Sequence, residues 1–340
     1  MTDFEQSARP APEISVIVVT YRQEETLSRT LDSVLAQRLD APFEVLVWDD
    51  CSPDSTADVA RTYATRFPDI VRVHVNEHNR GVQANYFDAL RNARASLIAD
   101  CAGDDFWTDP LKLQKQLDIL RDNPAISLVH TAFNLYYPDG SAQPFIPAAP
   151  RQPLETGHDA LRKILVENDE PFIHLCSSLY RRGPILRALD EMPHLFLDPE
   201  YRCEDLQVEC AAAAAGDIAY IPQPTLAYSQ GHSSISSEDN FAKTFDFYFG
   251  TTRLRLELIR HYGISDRDAA PVMARYVDFL MSQAFHFNSR SRALRLINWA
   301  KAEGIPLPAK TRLYRRLLFS PVSRPASAII RARRRITHKQ

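Results

Sequence analysis

The chain is expected to fold as an α/β protein, a doubly wound, mixed but mostly parallel sheet followed by a helical C-terminal extension. Three observations predict it. Ile14 to Thr20 is a continuous β-branched run, the habit of a strand buried on both faces as in parallel sheets. From there to Asp100, short apolar runs alternate four times with segments of helical period, the pattern of βαβ units. From about Phe241 the pattern changes to helical stripes of leucine and aromatic residues over Phe245 to His261 and Ala269 to Phe287.

The elements follow in order. After the first strand, Leu27, Leu31, Val34 and Leu35 repeat at helical spacing within Thr26 to Gln37. A second strand, Phe43 to Trp48, runs into Asp49-Asp50-Cys-Ser-Pro-Asp-Ser-Thr56, and a helix follows from Ser55 to Phe67. Strand Val71 to Asn76 ends at the polar loop Glu77 to Gly81; helix Val82 to Ala93 leads into strand Ser96 to Asp100. Leu113, Leu117 and Leu120 make the stripe of an amphipathic helix that stops near Asn123-Pro124. Ile126 to Tyr137 reads as a strand, Pro138 to Ser141 as a turn, Pro144 to Pro153 as a surface connection, and Pro171 to Gly183 as a strand with a basic turn. Ligands on such sheets bind at the carboxyl ends of the strands, which here carry Thr20-Tyr21, Asp49-Asp50, Arg80 and Asp104-Asp105.

The most informative of these ends is Asp100 to Pro110, which sets Asp104 beside Asp105 after an apolar run and before Phe106-Trp107. Neighbouring carboxylates at a buried strand end repel, and a divalent cation bridging to a phosphate is one of the few partners that relieves this. A solvated Asp-Asp turn capping the helix after Asp109-Pro110 is the competing account.

Four stretches, Ser15-Val-Ile-Val-Val-Thr-Tyr21, Trp48-Asp-Asp-Cys-Ser-Pro-Asp-Ser-Thr56, Asn79-Arg-Gly-Val-Gln-Ala-Asn85 and Gly103-Asp-Asp-Phe-Trp-Thr-Asp-Pro-Leu-Lys-Leu-Gln-Lys-Gln116, resemble the successive signatures of family 2 glycosyltransferases with the GT-A fold, a Rossmann-like arrangement. The resemblance covers about residues 12 to 240. It implies a nucleotide-sugar donor, most often UDP-linked, a Mg²⁺ or Mn²⁺ ion, inversion at the anomeric carbon, and a glycan or lipid-linked acceptor in surface polysaccharide synthesis. Carried over residue by residue, it implies that Thr20, Tyr21, Asp50, Arg80 and Asp104 contact the nucleotide sugar and that Asp104 and Asp105 hold the metal, with His232 as a further ligand. It also places His174 or Ser177 near the reacting sugar. Asp205, at the start of the helix that enters Cys210 to Ala215, matches the base that activates the acceptor, and Glu204 is the alternate. Acidic residues in a first helical turn are also favoured by the helix dipole alone. Two positions depart from the family pattern: Ala102 stands where an acid is common, and Ser229 where arginine is common.

Composition narrows the alternatives. A net charge of −3 argues against a nucleic-acid partner, and five cysteines without metal-ligand spacing fit reduced thiols in a cytoplasmic protein. Met1 to Pro12 has no apolar centre and is not a signal peptide; no run is long enough to span a membrane. The expected organisation is a flexible tail over 1–12, the GT-A domain over 13–240, a helical region over 241–305 and a basic amphipathic tail over 306–340. Nine cationic residues between Lys310 and Arg335, with no acid from Lys310 onward, suggest contact between residues 310–340 and anionic lipid at the cytoplasmic face of the membrane, through Leu317, Leu318, Phe319, Ile329 and Ile330. Two other functions fit the frame. A sugar-nucleotide nucleotidyltransferase needs a glycine-rich phosphate loop after the first strand, and Tyr21-Arg-Gln-Glu-Glu has no glycine. A non-catalytic nucleotide- or glycan-binding scaffold would keep the fold without the chemistry.

Overall fold

The computed structural model describes residues 11–147, 150–167, 173–231 and 241–321. The chain divides into two compact units, the first within 1–164, 169–199 and 203–232, the second within 165–168, 200–202 and 233–340.

The first unit alternates as the sequence predicts: β1 Ile14–Thr20, α1 Leu27–Leu35, β2 Phe43–Asp49, α2 Thr56–Arg66, β3 Val71–Val75, α3 Val82–Asn92, β4 Leu97–Asp100, β5 Phe106–Trp107 and α4 Lys112–Asp122. There follow β6 Ile126–Tyr136, β7 Ala142–Pro144, β8 Leu154–Glu155, α5 Gly157–Leu165, β9 Leu179–Arg181, α6 Arg182–Glu191, α7 Pro193–Leu197, α8 Asp205–Ala215 and β10 Asp217–Ser229. Among the described residues the sheet runs β3-β2-β1-β4-β9-β6-β10-β5, with β7 on β6 and β8 on β10. β3, β2, β1 and β4 are parallel, as are β6 and β10, while β9 lies antiparallel between β4 and β6. The sheet is therefore mixed and mostly parallel, with helices against it. Val16, Val18, Val45 and Val47 are fully buried because both faces of the central strands are covered.

One element differs from the sequence expectation. The strand expected over Pro171 to Gly183 is a 3₁₀ turn, Leu175–Ser177, followed by the three residues of β9; Pro171 and Phe172 lie outside the described residues. β10 passes register shifts between Ile221 and Leu226, where Pro222 and Pro224 have no N–H for the ladder.

Glu44 on β2 is the buried charge that ties β1 and β2 to the start of β4. Its Oε1 accepts from the Ser15 hydroxyl at 2.7 Å and the Arg94 N–H at 2.8 Å, and its Oε2 accepts from Arg94 Nε at 2.7 Å and Arg72 at 3.0 Å. Burial pushes its carboxyl upward, but those bonds outweigh it and the net value is lowered.

The second unit contains α9 Phe241–His261, α10 Asp266–His286, α11 Arg290–Ala302 and α12 Ala309–Leu318. Its core is Phe245, Phe249, Leu280, Phe285, Leu296 and Leu318, and Phe285 stacks on Tyr314 at 4.7 Å. This corrects the expectation for the basic tail. Leu318 is fully buried and Leu317 packs against the same core, so neither can face a bilayer. Thr311 donates its N–H to Asp278 at 3.0 Å, which fastens α12 to α10. Leu313 and Phe319 are the apolar side chains left exposed; residues 322–340, with Ile329 and Ile330, lie outside the described residues. No helix among the described residues is long and apolar enough to cross a membrane.

Truncating Glu44 leaves the buried Ser15 hydroxyl without its acceptor and the exposed Arg72 and Arg94 without their partner, so Glu44→Ala should cost about 1–3 kcal/mol of unfolding free energy at pH 7. Because the native carboxyl lies below its unfolded value, the stabilisation is present above the unfolded value and lost as pH falls through the native one. Urea titrations of wild type and variant should therefore converge below about pH 4.

Candidate active site

The carboxyl ends of β1, β2 and β4 form one edge. Thr20 pairs with Asp49, Asp50 N–H donates to Thr20 O at 3.0 Å, and Gly103 N–H donates to Val19 O at 3.2 Å. A Cβ on Gly103 would lie 2.3 Å from Gln23 Oε1 and 3.0 Å from Thr20 Oγ1, so a side chain there would have to displace the Gln23 amide for the loop to close onto β1. Thr20 thus lies between Asp50, which also meets the Arg80 N–H, and the loop that carries Asp104. Thr20 Oγ1 is buried there with no hydrogen-bond partner, and Tyr21 stands 40% exposed beside it.

Two predicted contacts are redirected. Asp50 is 3% exposed and its carboxylate is occupied by protein: Oδ1 accepts from Asn76 Nδ2 at 2.9 Å and Arg80 N–H at 2.8 Å, Oδ2 from Gly81 N–H at 2.8 Å. It holds the turn before α3, where Gly81 adopts φ 85°, a left-handed conformation open to glycine. A carboxylate oxygen can accept twice, so Oδ2 keeps capacity for one further donor. Arg80 contributes its backbone to this corner; its guanidinium forms an ion pair with Asp88 on α3.

The structure also separates the two neighbouring aspartates. Asp105 is 2% exposed, and Oδ1 accepts the Ser229 N–H at 2.9 Å. Burial, then the Asp104 charge, pushes its carboxyl well above the ordinary range. Asp104 is half-buried, and its carbonyl accepts from Ser229 Oγ at 2.6 Å and from Arg29 at 3.1 Å. Arg29 comes from α1, stacks on Phe106 at 4.2 Å and Tyr136 at 5.0 Å, and also donates to Ser229 Oγ at 3.3 Å. The guanidinium missing at position 229 is supplied to this corner from elsewhere in the chain. The hard oxygen donors of Asp104 fit Mg²⁺ or Mn²⁺. His232 lies outside the described residues.

On the other side of this edge, Asp205 and Glu204 open α8. Asp205 is exposed at the start of the helix, and burial among the surrounding protein atoms lifts its carboxyl to about 6. Glu204, half-buried at the N-cap, is driven well above the ordinary range by burial and then by the Asp205 charge. The two carboxyls stand close enough to titrate as a pair. Tyr228 lies between the two groups of acids: burial and the charges of Asp105, Asp104 and Asp205 raise its phenol to about 12, and its ring meets His174 at 4.3 Å.

Residues 15–187 match the family described as Glycosyl transferase family 2. The chain belongs to this family. Among its relatives, the uncharacterized protein Rv1520 of Mycobacterium tuberculosis is 33% identical over 237 residues, 68% of this chain and 64% of the relative, so the match spans under two thirds of that protein. WfgD of Escherichia coli, a UDP-Glc:alpha-D-GlcNAc-diphosphoundecaprenol beta-1,3-glucosyltransferase, is 33% identical over 111 residues, 32% of this chain and 42% of WfgD. The crystal structure of Staphylococcus aureus TarS 1–349 in complex with UDP-GlcNAc aligns with a TM-score of 0.57 and 17% identity over 86% of this chain and 82% of that one, a likeness of fold.

Two further buried charged residues near these acids carry weak sequence signals. Lys112 is fully buried: Nζ donates to Gln116 Oε1 at 2.9 Å and Ser178 O at 3.3 Å and lies 4.2 Å from the Trp107 ring centre. Burial lowers it to about 7. Its only sequence signal is that Lys112 and Gln116 share a helix face with buried leucines. Asp100, at the end of β4, has both oxygens buried without a bonded partner, while the Tyr86 and Tyr180 hydroxyls nearby bond each other. Burial raises Asp100 to about 7, opposed by the pull of those hydroxyls and reinforced by Asp205.

An acid whose native value lies above its unfolded one loses stability as pH rises between the two. Asp100→Asn should therefore gain on wild type as pH goes from 5 to 8, by several degrees of melting temperature. Calorimetry at both pH values checks this, and a constant difference would show that Asp100 is ionised throughout.

Proposed function

We propose that the protein is an inverting glycosyltransferase that moves a sugar from a nucleotide-sugar donor, UDP-linked, to a hydroxyl of a glycan or lipid-linked acceptor in surface polysaccharide synthesis. The observation that carries this reading is Asp205, an accessible carboxylate lifted to about 6, set across Tyr228 from Asp104 in a chain of this family. The UDP-Glc donor and diphosphoundecaprenol acceptor in the name of WfgD support the donor and acceptor classes.

In this reading the nucleotide lies along the ends of β1 and β2, against Tyr21, Thr20 Oγ1 and the remaining acceptor capacity of Asp50 Oδ2. Asp104 projects from a loop that Arg29, Ser229 and buried Asp105 fix in place. A Mg²⁺ or Mn²⁺ ion held by Asp104 neutralises charge on the leaving diphosphate when bound. Asp205 accepts the proton of the acceptor hydroxyl as that oxygen attacks the anomeric carbon and the bond to the nucleoside diphosphate breaks. Glu204 keeps its own proton, which spares Asp205 a second full negative charge beside it. Leu313 and Phe319, exposed on or next to α12 among Arg312, Arg315 and Arg316, support a surface that meets anionic lipid where such an acceptor resides.

Asp205→Asn should leave UDP-sugar affinity near wild type while lowering transfer by about 10² to 10⁴. Turnover that survives this change but falls in Glu204→Gln assigns the base to Glu204. The wild-type kcat/KM should rise with pH through about 6 and then level, since only the Asp205 carboxylate takes a proton. Asp104→Asn should abolish Mn²⁺-dependent UDP binding in calorimetry with the circular dichroism spectrum unchanged; binding that persists would remove Asp104 from the donor site.

A further inference from the structure

Three side chains that the transfer reaction leaves without a direct task converge beneath the donor loop. A carboxylate oxygen of Asp105, a ring nitrogen of His174 and Cys176 Sγ all lie within 4.8 Å of one another. They come from segments about seventy residues apart, and each is held by its backbone. His174 and Cys176 flank one turn: Ser177 donates its N–H at 2.8 Å and its hydroxyl at 2.7 Å to His174 O, and Trp107 Nε1 donates to Cys176 O at 2.9 Å. Asp105 is fixed by its N–H on Ala102 O at 3.0 Å and by Thr30 Oγ1 on its carbonyl at 2.6 Å.

Two observations point past packing. His174 Nδ1 is buried with no hydrogen-bond partner, an orphaned polar atom of a kind that folded proteins rarely leave. Cys176 Sγ accepts the Ala102 N–H at 3.3 Å, a bond that supports a sulfur acting as a metal ligand, and Ser229 N–H does the same for Asp105. Phe133 and Tyr228 flank the imidazole at 4.9 Å and 4.3 Å and limit the access of water.

We propose that Asp105, His174 and Cys176 form a cation site distinct from the hard-oxygen site of Asp104, one that takes a thiophilic divalent ion of the Zn²⁺ class. One sulfur, one imidazole and one carboxylate suit that class, whereas Mg²⁺ favours oxygen alone. Tetrahedral bonds of zinc length space ligand atoms by roughly 3.5 Å, so the three close by about 1 Å around the ion and a water completes the shell. Binding releases to solvent the Cys176 thiol proton and any proton held by the Asp105 carboxyl, leaving thiolate and carboxylate as ligands. Such an ion links the 3₁₀ turn to the loop that presents Asp104. The inference does not depend on the transferase reading.

The test uses full-length protein stripped with chelator and titrated with Co²⁺. Stoichiometric binding should produce a thiolate-to-cobalt charge-transfer band with the visible bands of a four-coordinate ion, both bleached by one equivalent of Zn²⁺. The charge-transfer band should disappear in Cys176→Ser, and His174→Ala should weaken binding by more than about 100-fold, beyond the loss of an outer-shell partner. Cys51→Ser and Asp104→Asn should keep the band. Asp104→Asn separates this proposal from the transferase reading, because its nucleotide binding can fail while the cobalt spectrum stays. Absence of the charge-transfer band in wild type, its persistence in Cys176→Ser, or its loss in Cys101→Ser alone overturns the site. If Cys176→Ser does not fold by circular dichroism, wild-type affinity in the His174→Ala variant overturns it instead.

Discussion

One hydrogen bond organises this molecule's first unit: the Ser229 N–H on the buried carboxylate of Asp105. It joins residues 124 positions apart and fastens the last residue of β10 to the loop after β4. The Ser229 hydroxyl repeats the connection on the Asp104 carbonyl, and Arg29 closes it from α1. Three segments that meet nowhere else in sequence acquire a common anchor. The cost is a carboxylate removed from water, which is tolerable because a backbone N–H meets it and its charge need not be retained.

The electrostatics of the site follow from how many acids the fold gathers and how few cations it supplies. Burial comes first for Asp100, Asp105, Glu204 and Asp205; a neighbouring carboxylate comes next for Asp105 and Glu204, whereas for Asp100 the Tyr180 and Tyr86 hydroxyls act before the charge of Asp205. Lys112 is the buried cation among them, and burial weakens its own hold on a proton. Protons are shared unevenly in such a set, and Asp205, the member that water reaches, departs least far from the ordinary range among the acids opening α8.

Much of this was readable in the sequence, because the signals were local. Continuous β-branched runs marked β1 and β2, and the strand ends carried the acids that the fold later collects. What escaped depended on partners far away in sequence. Asp50 looks like a ligand contact at a strand end, but Asn76, Arg80 and Gly81 claim its oxygens, and no local pattern announces that. Arg29 sits on a helix face like any solvated arginine until Phe106 and Tyr136 enclose it. In α12 the helical period marks an apolar stripe correctly; whether lipid or the Phe285 layer covers the stripe is a matter of tertiary structure, and Leu318 goes to the latter.

The reversed direction of β9 has a consequence for how such a molecule can diversify. Because β9 runs antiparallel to β4, the chain enters β9 at the edge where β4 leaves. The stretch from Ile173 to Ser178 is therefore delivered to that edge by topology alone, independently of the strands that end there from the other direction. Its side chains can be exchanged like an interchangeable tool-bit while the shank, three residues of ladder, stays constant. A fold with a parallel strand in that place would deliver the same stretch to the opposite rim.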